Sequence, residues 1–278
     1  MNLNWFESLL YGLFSGLTDI LPVSAQAHQT LMLKFFGIKS NMELMDFLVR
    51  LAISAALYIN CRSSLTRMSR AQMLSRIPKK KRKRPLDIRS LMDFSLLKTI
   101  LVPVFLGLLL YRQASAAKTN LILLAVFVFL NGVALYLPQY FRSSNKDSRT
   151  LSRVEGLLMG LGGAVSVVPG VSAMGVSTSI ASVCGFERTY ALNLALMMNL
   201  FLNAGYAVYG ILAIASNGLG VLSAMILLRY LFTAAVAFGS ATLGIRIMKH
   251  FAAGEGYSVF AFYCFGQALF TFILNLMA

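Results

Sequence analysis

The sequence is poor in charged residues for its length. Only 13% of its 278 residues are charged and 58% are hydrophobic, and the mean hydropathy is +0.71. A soluble domain normally carries about 25% charged residues. The shortage of charge therefore excludes an ordinary soluble domain. It predicts an all-α polytopic membrane protein, with residues 1–278 forming a single membrane domain.

Cysteine is also scarce. The three cysteines, Cys61, Cys184 and Cys264, are far apart and lie in apolar or bordering surroundings. Because they lack metal-ligand spacing, we interpret them as small core residues. The first five residues contain no basic side chain ahead of the first apolar run. We therefore expect no cleaved signal peptide.

Positive charge is abundant but unevenly distributed. Lysine and arginine total 25 against 10 acids, which gives a net charge of +15. Many of the basic residues lie between Arg62 and Arg89, where Asp87 is the single acid. Cytoplasmic loops of membrane proteins are enriched in Lys and Arg. We therefore predict basic cytoplasmic loops at 62–93 and 139–154, which face the membrane surface rather than nucleic acid.

One stretch, 15–28, is polar although it lies within an apolar region. It contains a carboxylate, Asp19, and the helix-breaking Pro22. Lipid cannot satisfy such groups, so a broken polar segment at membrane depth must be buried in protein or line a wet cavity. Its core, Leu-Pro-Val-Ser-Ala at 21–25, has a second copy at 168–173, Val-Pro-Gly-Val-Ser-Ala. The paired segments predict a binding site.

The apolar segments around these two breaks are too short to cross a bilayer. A spanning helix needs about 20 mainly apolar residues, so we predict two re-entrant helical hairpins, at 5–38 and 155–185. Three transmembrane helices follow each hairpin, at 45–61, 94–111, 121–137, 190–213, 219–247 and 257–276. An odd number of spans gives the two halves, 1–138 and 151–278, opposite orientations. The sequence therefore predicts an inverted repeat with its site near the membrane midplane.

These motifs resemble those of the bacterial undecaprenyl-diphosphate phosphatase (bacitracin-resistance) family. The family's first motif runs roughly E-G-L-T-E-F-L-P-V-S-S-T-G-H, and its second runs P-G-T-S-R-S-G-A-T. Residues 16–18, 21–24 and His28 match the first motif, and Asp19 stands for its second Glu. The second motif is matched by Pro169, Gly170, Ser172 and Gly175.

The resemblance implies an enzyme of the bacterial plasma (inner) membrane that dephosphorylates the polyprenyl diphosphate lipid carrier of cell-wall synthesis. It implies a divalent cation (Mg²⁺ or Ca²⁺) if the chain is catalytic and no cofactor otherwise. We expect the membrane and a polyprenyl phosphate or diphosphate as partners, a homodimer as the assembly to test, and no nucleic acid. The expected catalytic residues are Asp19, Ser24 and His28, with Asp19 also as metal ligand. The expected substrate-binding residues are Thr18, Gln26, Arg50, Gly170, Ser172 and Gly175.

The sequence departs from the family at groups that its chemistry uses. The family's first Glu is Ser15 here, and the Arg of its second motif is Ala173. The first change removes a metal ligand and a general base, and the second removes paired donors for phosphate oxygens. We therefore expect impaired hydrolysis. A non-catalytic protein that binds or translocates the lipid, and a structural paralogue that acts through partners, remain alternatives.

Simpler interpretations of the site residues also remain open. Asp19 could be buried by the hydroxyls of Thr18 and Ser24, and His28 could be a hydrogen-bonded histidine at a helix start. The serines of the two breaks could cap the following helices, bind phosphate at the helix N-termini, or do both.

Arg50 has two interpretations. It follows Asp46 by four residues, so the two side chains share a helix face and could neutralise each other. Alternatively, Arg50 points at the cavity and replaces the positive charge lost from the second motif.

Overall fold

The computed structural model describes residues 3–38, 42–82, 84–141, 145–218, 222–254 and 257–277. Over these residues the chain is helical, with no strand and one isolated β-bridge. The helices are α1 (Trp5–Ile20), α2 (Ala25–Phe35), α3 (Glu43–Ser75), α4 (Ile88–Leu109), α5 (Tyr111–Ser115), α6 (Leu121–Tyr136), α7 (Arg153–Val165), α8 (Ala173–Val183), α9 (Arg188–Asn217), α10 (Ala224–Ala253) and α11 (Val259–Met277). Short 3-10 turns lie at Lys79–Lys81, Ala116–Thr119 and Leu137–Tyr140. The predicted all-α class is confirmed.

Six helical segments within the described ranges are long and apolar enough to cross a membrane. They are Glu43–Ser75, Ile88–Leu109, Leu121–Tyr140, Arg188–Asn217, Ala224–Ala253 and Val259–Leu276. Their number and order match the six predicted spans, so the chain is a multi-pass membrane protein. The start of the predicted span 219–247 falls on residues 219–221, outside the described residues.

The predicted basic loop 62–93 is helical over much of its length. Helix α3 continues to Ser75 because no Gly or Pro interrupts it before Pro78, and because Met68 and Ala71, three residues apart on one face, are buried. The charge pattern marked the end of the apolar segment rather than the end of the helix. Two basic residues of the predicted loops, Lys83 and Arg142, lie outside the described residues.

Two helix breaks organise the interior. Helix α1 packs on α2 across the break at 21–24, and α7 packs on α8 across the break at 166–172. Ser24 and Ser172 are the N-caps of α2 and α8, so each break ends on a serine that satisfies a free backbone N–H. Gly170 adopts a φ of +103°, a conformation that L side chains rarely adopt, so the second break requires glycine there.

Close helix packing fixes both helix pairs against a neighbour. Helix α1 lies on α10 through Gly12 and Gly16, where an added Cβ at Gly16 would collide with the Ala237 carbonyl. Helix α7 lies on α4 in the same way, and an added Cβ at Gly160 would collide with the Ile100 carbonyl. Small residues spaced four apart let helices in a membrane approach this closely. The packing of α1 and α7 therefore follows the same plan in both halves.

Candidate functional site

The two helix breaks meet in the protein interior. The Ser24 hydroxyl accepts a hydrogen bond from the Gly170 N–H at 3.1 Å, and the Ser172 hydroxyl donates to the Leu21 carbonyl at 3.4 Å. Each serine therefore caps its own helix and contacts the opposite break. The sequence predicted that the two segments form one site, and the structure brings them together.

Asn131 of α6 bridges the two breaks. Its Nδ2 donates to the Pro22 carbonyl at 3.1 Å, and its Oδ1 accepts from the Ser172 N–H at 2.9 Å. The side chain is fully enclosed. The sequence interpretation missed it, although a single amide within an apolar span is itself a signal of an interhelical contact.

The Asp19 carboxylate is fully engaged by polar partners. Its Oδ1 accepts from Arg50 Nη1 at 2.8 Å, and its Oδ2 accepts from Asn203 at 2.8 Å and from Asn199 at 3.0 Å. The Arg50 and Asp19 side chains are only 7% and 8% exposed. A buried charge persists when it is paired and its remaining sites are hydrogen-bonded. The pair satisfies both conditions.

The structure rules out the local partners that the sequence left open for both charges. Arg50 does not pair with Asp46, which accepts a hydrogen bond from the Tyr11 hydroxyl at 2.9 Å. Thr18 donates to the Phe14 carbonyl instead of Asp19. Spacing along one helix identifies neighbours on that helix only, whereas Arg50 reaches across to α1.

Further contacts hold the Arg50 guanidinium in place. It also donates to Asn203 Oδ1 at 3.1 Å and to Gln29 Oε1 at 3.4 Å, and it lies 4.9 Å from the centre of the Tyr206 ring. Asn199 and Asn203, which sequence reasoning missed, lie four residues apart in an apolar span and so share a helix face. That spacing was the available signal.

A small cavity of about 20 Å³ adjoins this network. Among its lining residues are the predicted Thr18, Asp19, Gln26, Arg50 and Ser172. A single water needs about 10–15 Å³ in this measure, so the space as it stands holds one water rather than a phosphate. Gln26 Oε1 is buried without a hydrogen-bond partner among the described residues. The N–H groups of the predicted Gly170 and Gly175 are already bound by the break serines.

A larger polar cavity, which we call the vestibule, has a volume of about 340 Å³. Three cations, Arg50, Arg112 and Lys118, and two acids, Glu43 and Asp46, are among the residues that line it. Arg50 and Tyr206 line both the vestibule and the small cavity. The guanidinium therefore lies between the Asp19 carboxylate and the vestibule.

His28 faces a different cavity from Asp19. It lies on an apolar groove of about 590 Å³ between α1, α2 and α11, with Phe14, Phe35 and Phe270 among the lining residues. Its Nδ1 is 2.7 Å from the Ser24 carbonyl, which can only accept, and its Nε2 is 2.7 Å from the Tyr263 hydroxyl. In the neutral ring Nδ1 therefore carries the proton, and Nε2 accepts from Tyr263.

The site has few ligands for a metal ion. Within the part of the chain that the structure describes, no three His, Cys, Asp or Glu side chains cluster closely enough to hold one. Both Asp19 oxygens accept hydrogen bonds from Arg50 and the two asparagines. The hydrogen-bond donors around Asp19 therefore suit a carboxylate that is neutralised by a guanidinium.

Comparison with known proteins identifies the family of the chain. The sequence model of the family described as "Bacitracin resistance protein BacA" matches residues 8–270. The chain belongs to the BacA family. It is 26% identical to an undecaprenyl-diphosphatase of Thermosipho melanesiensis over 267 residues, covering 96% of this chain and 98% of that protein.

Other relatives of this BacA-family chain carry the same name. An undecaprenyl-diphosphatase of Methanobrevibacter smithii is 26% identical over 273 residues, covering 96% of each protein. One from Methanococcus maripaludis (strain C7) is 23% identical over 264 residues, covering 95% of this chain and 98% of that protein. The similarity therefore extends over both halves and both breaks.

Two positions of the BacA-family chain carry the departures noted in the sequence. Ser15, where the family motif has Glu, is buried, and its hydroxyl accepts from Gln29 at 3.1 Å. Ala173, where the motif has Arg, lines the small cavity. Arg50 is the cation that lies between this cavity and the vestibule.

Proposed function

We propose that this protein binds a polyprenyl phosphate or diphosphate of the cell-wall lipid cycle in a bacterial plasma membrane, and that its hydrolysis of the diphosphate is impaired. One observation carries the proposal. A buried guanidinium, Arg50, lies beside the vestibule and is held by Asp19, at the place where the two breaks meet. The name undecaprenyl-diphosphatase, which the relatives carry, supports the choice of lipid.

The vestibule is the proposed place of the phosphate headgroup. Arg50, Arg112 and Lys118 outnumber the acids Glu43 and Asp46 there. Guanidinium groups bind phosphate oxygens with paired donors, and cations near the opening attract an anion before it is bound. A headgroup in the vestibule lies directly against Arg50.

The apolar groove is the proposed place of the prenyl chain. Helix α2 separates the two cavities, since Gln29 lines the vestibule and its neighbour His28 lines the groove. The lipid matches this arrangement, because its anionic head and hydrocarbon chain need one polar and one apolar cavity. The chain would pass around α2 to connect them.

Impaired hydrolysis follows from the state of the candidate catalytic groups. Asp19 is neutralised by Arg50, and His28 lies on the groove rather than beside Asp19. The Ser24 hydroxyl already accepts two backbone N–H groups, from Ala27 and Gly170. A divalent cation would have to displace Arg50 from Asp19, so these residues do not suit one, and the proposed binding proceeds without metal.

Topology and assembly complete the proposal. We place α1–α2 and α7–α8 as re-entrant hairpins of an inverted repeat, supported by the matching contacts of α1 with α10 and of α7 with α4. The basic ends of the spans would face the cytoplasm. A homodimer remains the assembly to test.

The engaged state of Asp19 favours a second candidate, a non-catalytic protein that holds or translocates the lipid. Loss of a carboxylate and of an arginine harms bond cleavage more than binding, and broken helices at membrane depth are common in transporters. The two candidates share the binding site and differ in turnover.

Two measurements on the purified protein test the proposal. Phosphate release from C55 and shorter prenyl diphosphates, with and without Mg²⁺ or Ca²⁺, separates the enzyme from the binding protein. Equilibrium binding of the lipid tests the site itself. We expect Arg50→Gln to weaken binding by at least about tenfold, which corresponds to the loss of one charge-assisted hydrogen bond. Lys98→Gln, an exposed cation in α4, is the matched control.

Asp19→Asn distinguishes the role of the carboxylate. If Asp19 only restrains Arg50, the substitution frees the guanidinium and tightens lipid binding. If Asp19 instead holds a metal that binds the diphosphate, the substitution weakens binding and removes any dependence on Mg²⁺ or Ca²⁺. Lipid binding that is unchanged in Arg50→Gln would overturn the proposed site.

A further inference from the structure

A separate polar cavity lies away from Asp19. It has a volume of about 70 Å³ and is bounded by α8, the start of α9, the start of α11 and the turn after α6. Its lining residues include Ser179, Arg188 and Tyr257, and it shares none with the vestibule, the small cavity or the groove. We call it the α8–α11 cavity.

Two hydroxyl groups on its lining residues have no hydrogen-bond partner among the described residues. Ser179 Oγ and Tyr257 Oη are buried, and neither makes a hydrogen bond with any of the described residues. Buried polar groups in proteins are almost always hydrogen-bonded to protein or to ordered water, and exceptions point to a water or an ion at the site. Two such hydroxyls on residues that line one cavity favour a polar occupant.

Arg188 gives this cavity its charge. Its Nη1 donates to the Gly254 carbonyl at 2.6 Å, and its other N–H groups have no partner within the described ranges. The neighbouring acid, Glu187, is turned to the start of α9, where its carboxylate accepts from the Thr189 and Tyr190 N–H groups. Among the described residues, the groups without a protein partner around the cavity therefore include a cation and two hydroxyls.

The ligand that fits these groups is an anion. Ser258, the residue just before α11, also lines the cavity, so the positive end of that helix adds to the charge of Arg188. Phe186 supplies an apolar wall, which strengthens charge interactions by excluding water. The cavity volume is large enough for about five water molecules. That is enough for a tetrahedral oxyanion and too little for a nucleotide.

We propose that the α8–α11 cavity binds an anion of the phosphate class through Arg188, Tyr257 and Ser179. The anion is either free phosphate or the phosphate of a lipid headgroup. The site is independent of the polyprenyl site, because the two share no residue. A test of this anion site therefore does not depend on whether the proposed function is correct.

Saturation binding of radiolabelled inorganic phosphate to the detergent-purified full chain tests the site. Tyr257→Phe and Ser179→Ala each remove a single oxygen, and Arg188→Gln removes the charge. We expect each variant to weaken one class of phosphate sites by at least about tenfold, as the loss of one charge-assisted hydrogen bond requires. Polyprenyl diphosphate binding should be unchanged. Tyr58→Phe and Ser216→Ala, both exposed, are the matched controls.

The source of the anion is settled by competition. If phosphatidylglycerol added to the micelles displaces the labelled phosphate, a lipid headgroup is the ligand, and if it does not, free phosphate is. Both results support the site. Phosphate binding that is absent, or that is the same in all three variants as in the controls, would overturn it and leave ordered water as the content of the cavity.

Discussion

The buried pair of Asp19 and Arg50 should couple strongly in a double-mutant cycle. The two side chains are 7% and 8% exposed and their charged atoms are 2.8 Å apart. Removing one partner of such a pair costs about 3–5 kcal/mol, because the other charge stays buried without compensation. We therefore expect Asp19→Asn and Arg50→Met each to lower the free energy of unfolding by about that amount.

The double variant should recover much of this loss. With both charges removed, only neutral hydrogen bonds and packing change, and replacing a whole buried pair by uncharged groups is often close to neutral. The two losses should therefore fall short of additivity by more than about 2 kcal/mol. Unfolding by SDS in mixed micelles, followed by circular dichroism, measures all four proteins under the same conditions.

The ion pair of Lys146 and Glu155 is the matched control for this cycle. It is slightly shorter, at 2.6 Å, but its side chains are 38% and 19% exposed. Solvent-exposed pairs contribute about 0.2–1 kcal/mol, so its cycle should show little coupling. Losses from Asp19→Asn and Arg50→Met that add within about 0.5 kcal/mol would refute the reasoning that burial makes this pair interdependent.

Three further predictions concern the scaffold. Gly16→Ala should destabilise the protein because its Cβ meets a backbone carbonyl of α10, whereas Gly239→Ala, which meets nothing within 4 Å, should not; thermal unfolding compares the two. Asn131→Leu should lower the unfolding temperature and raise proteolysis at the two breaks, because it removes the bridge between them; an unchanged digestion pattern contradicts this. Burial raises the pKa of Glu155, but Lys146 and the helix cap outweigh it and hold that pKa below its ordinary value. This contribution to stability is present above the ordinary pKa and is lost as pH falls through the lowered one, so acid should destabilise the wild type more than Glu155→Gln.

The coarse architecture was predictable because its signals are local in sequence. A span is recognised by the length of one apolar segment, and a break by a proline with polar neighbours, as at Pro22. The helical structure within 62–93 has a local cause too. Charge predicts where a helix leaves the lipid, whereas helix continuation depends on packing, and Met68 and Ala71 are buried.

The partners of the site residues were not predictable in the same way. Asp19 and Arg50 are 31 residues apart and lie on helices that meet only in the folded protein. Helical periodicity gives neighbours at three and four residues, so it proposed Asp46, the one acid within that reach. Asn131, Asn199 and Asn203 carry no charge. The role of each depends on contacts with another helix, which the sequence does not show.

Under the proposed function, the charge balance of the site limits how a diphosphate would bind. Asp19 and Arg50 neutralise each other, so a bound headgroup gains the guanidinium only by competing with a carboxylate already 2.8 Å from it. Asn199 and Asn203 can keep Asp19 hydrogen-bonded while the guanidinium turns, because they bind its other oxygen. Arg112 and Lys118 line the same vestibule, and a headgroup could use their charge without this exchange. Under the proposed function, lipid binding would exchange one anion for another around Arg50, and such an exchange is expected to be reversible.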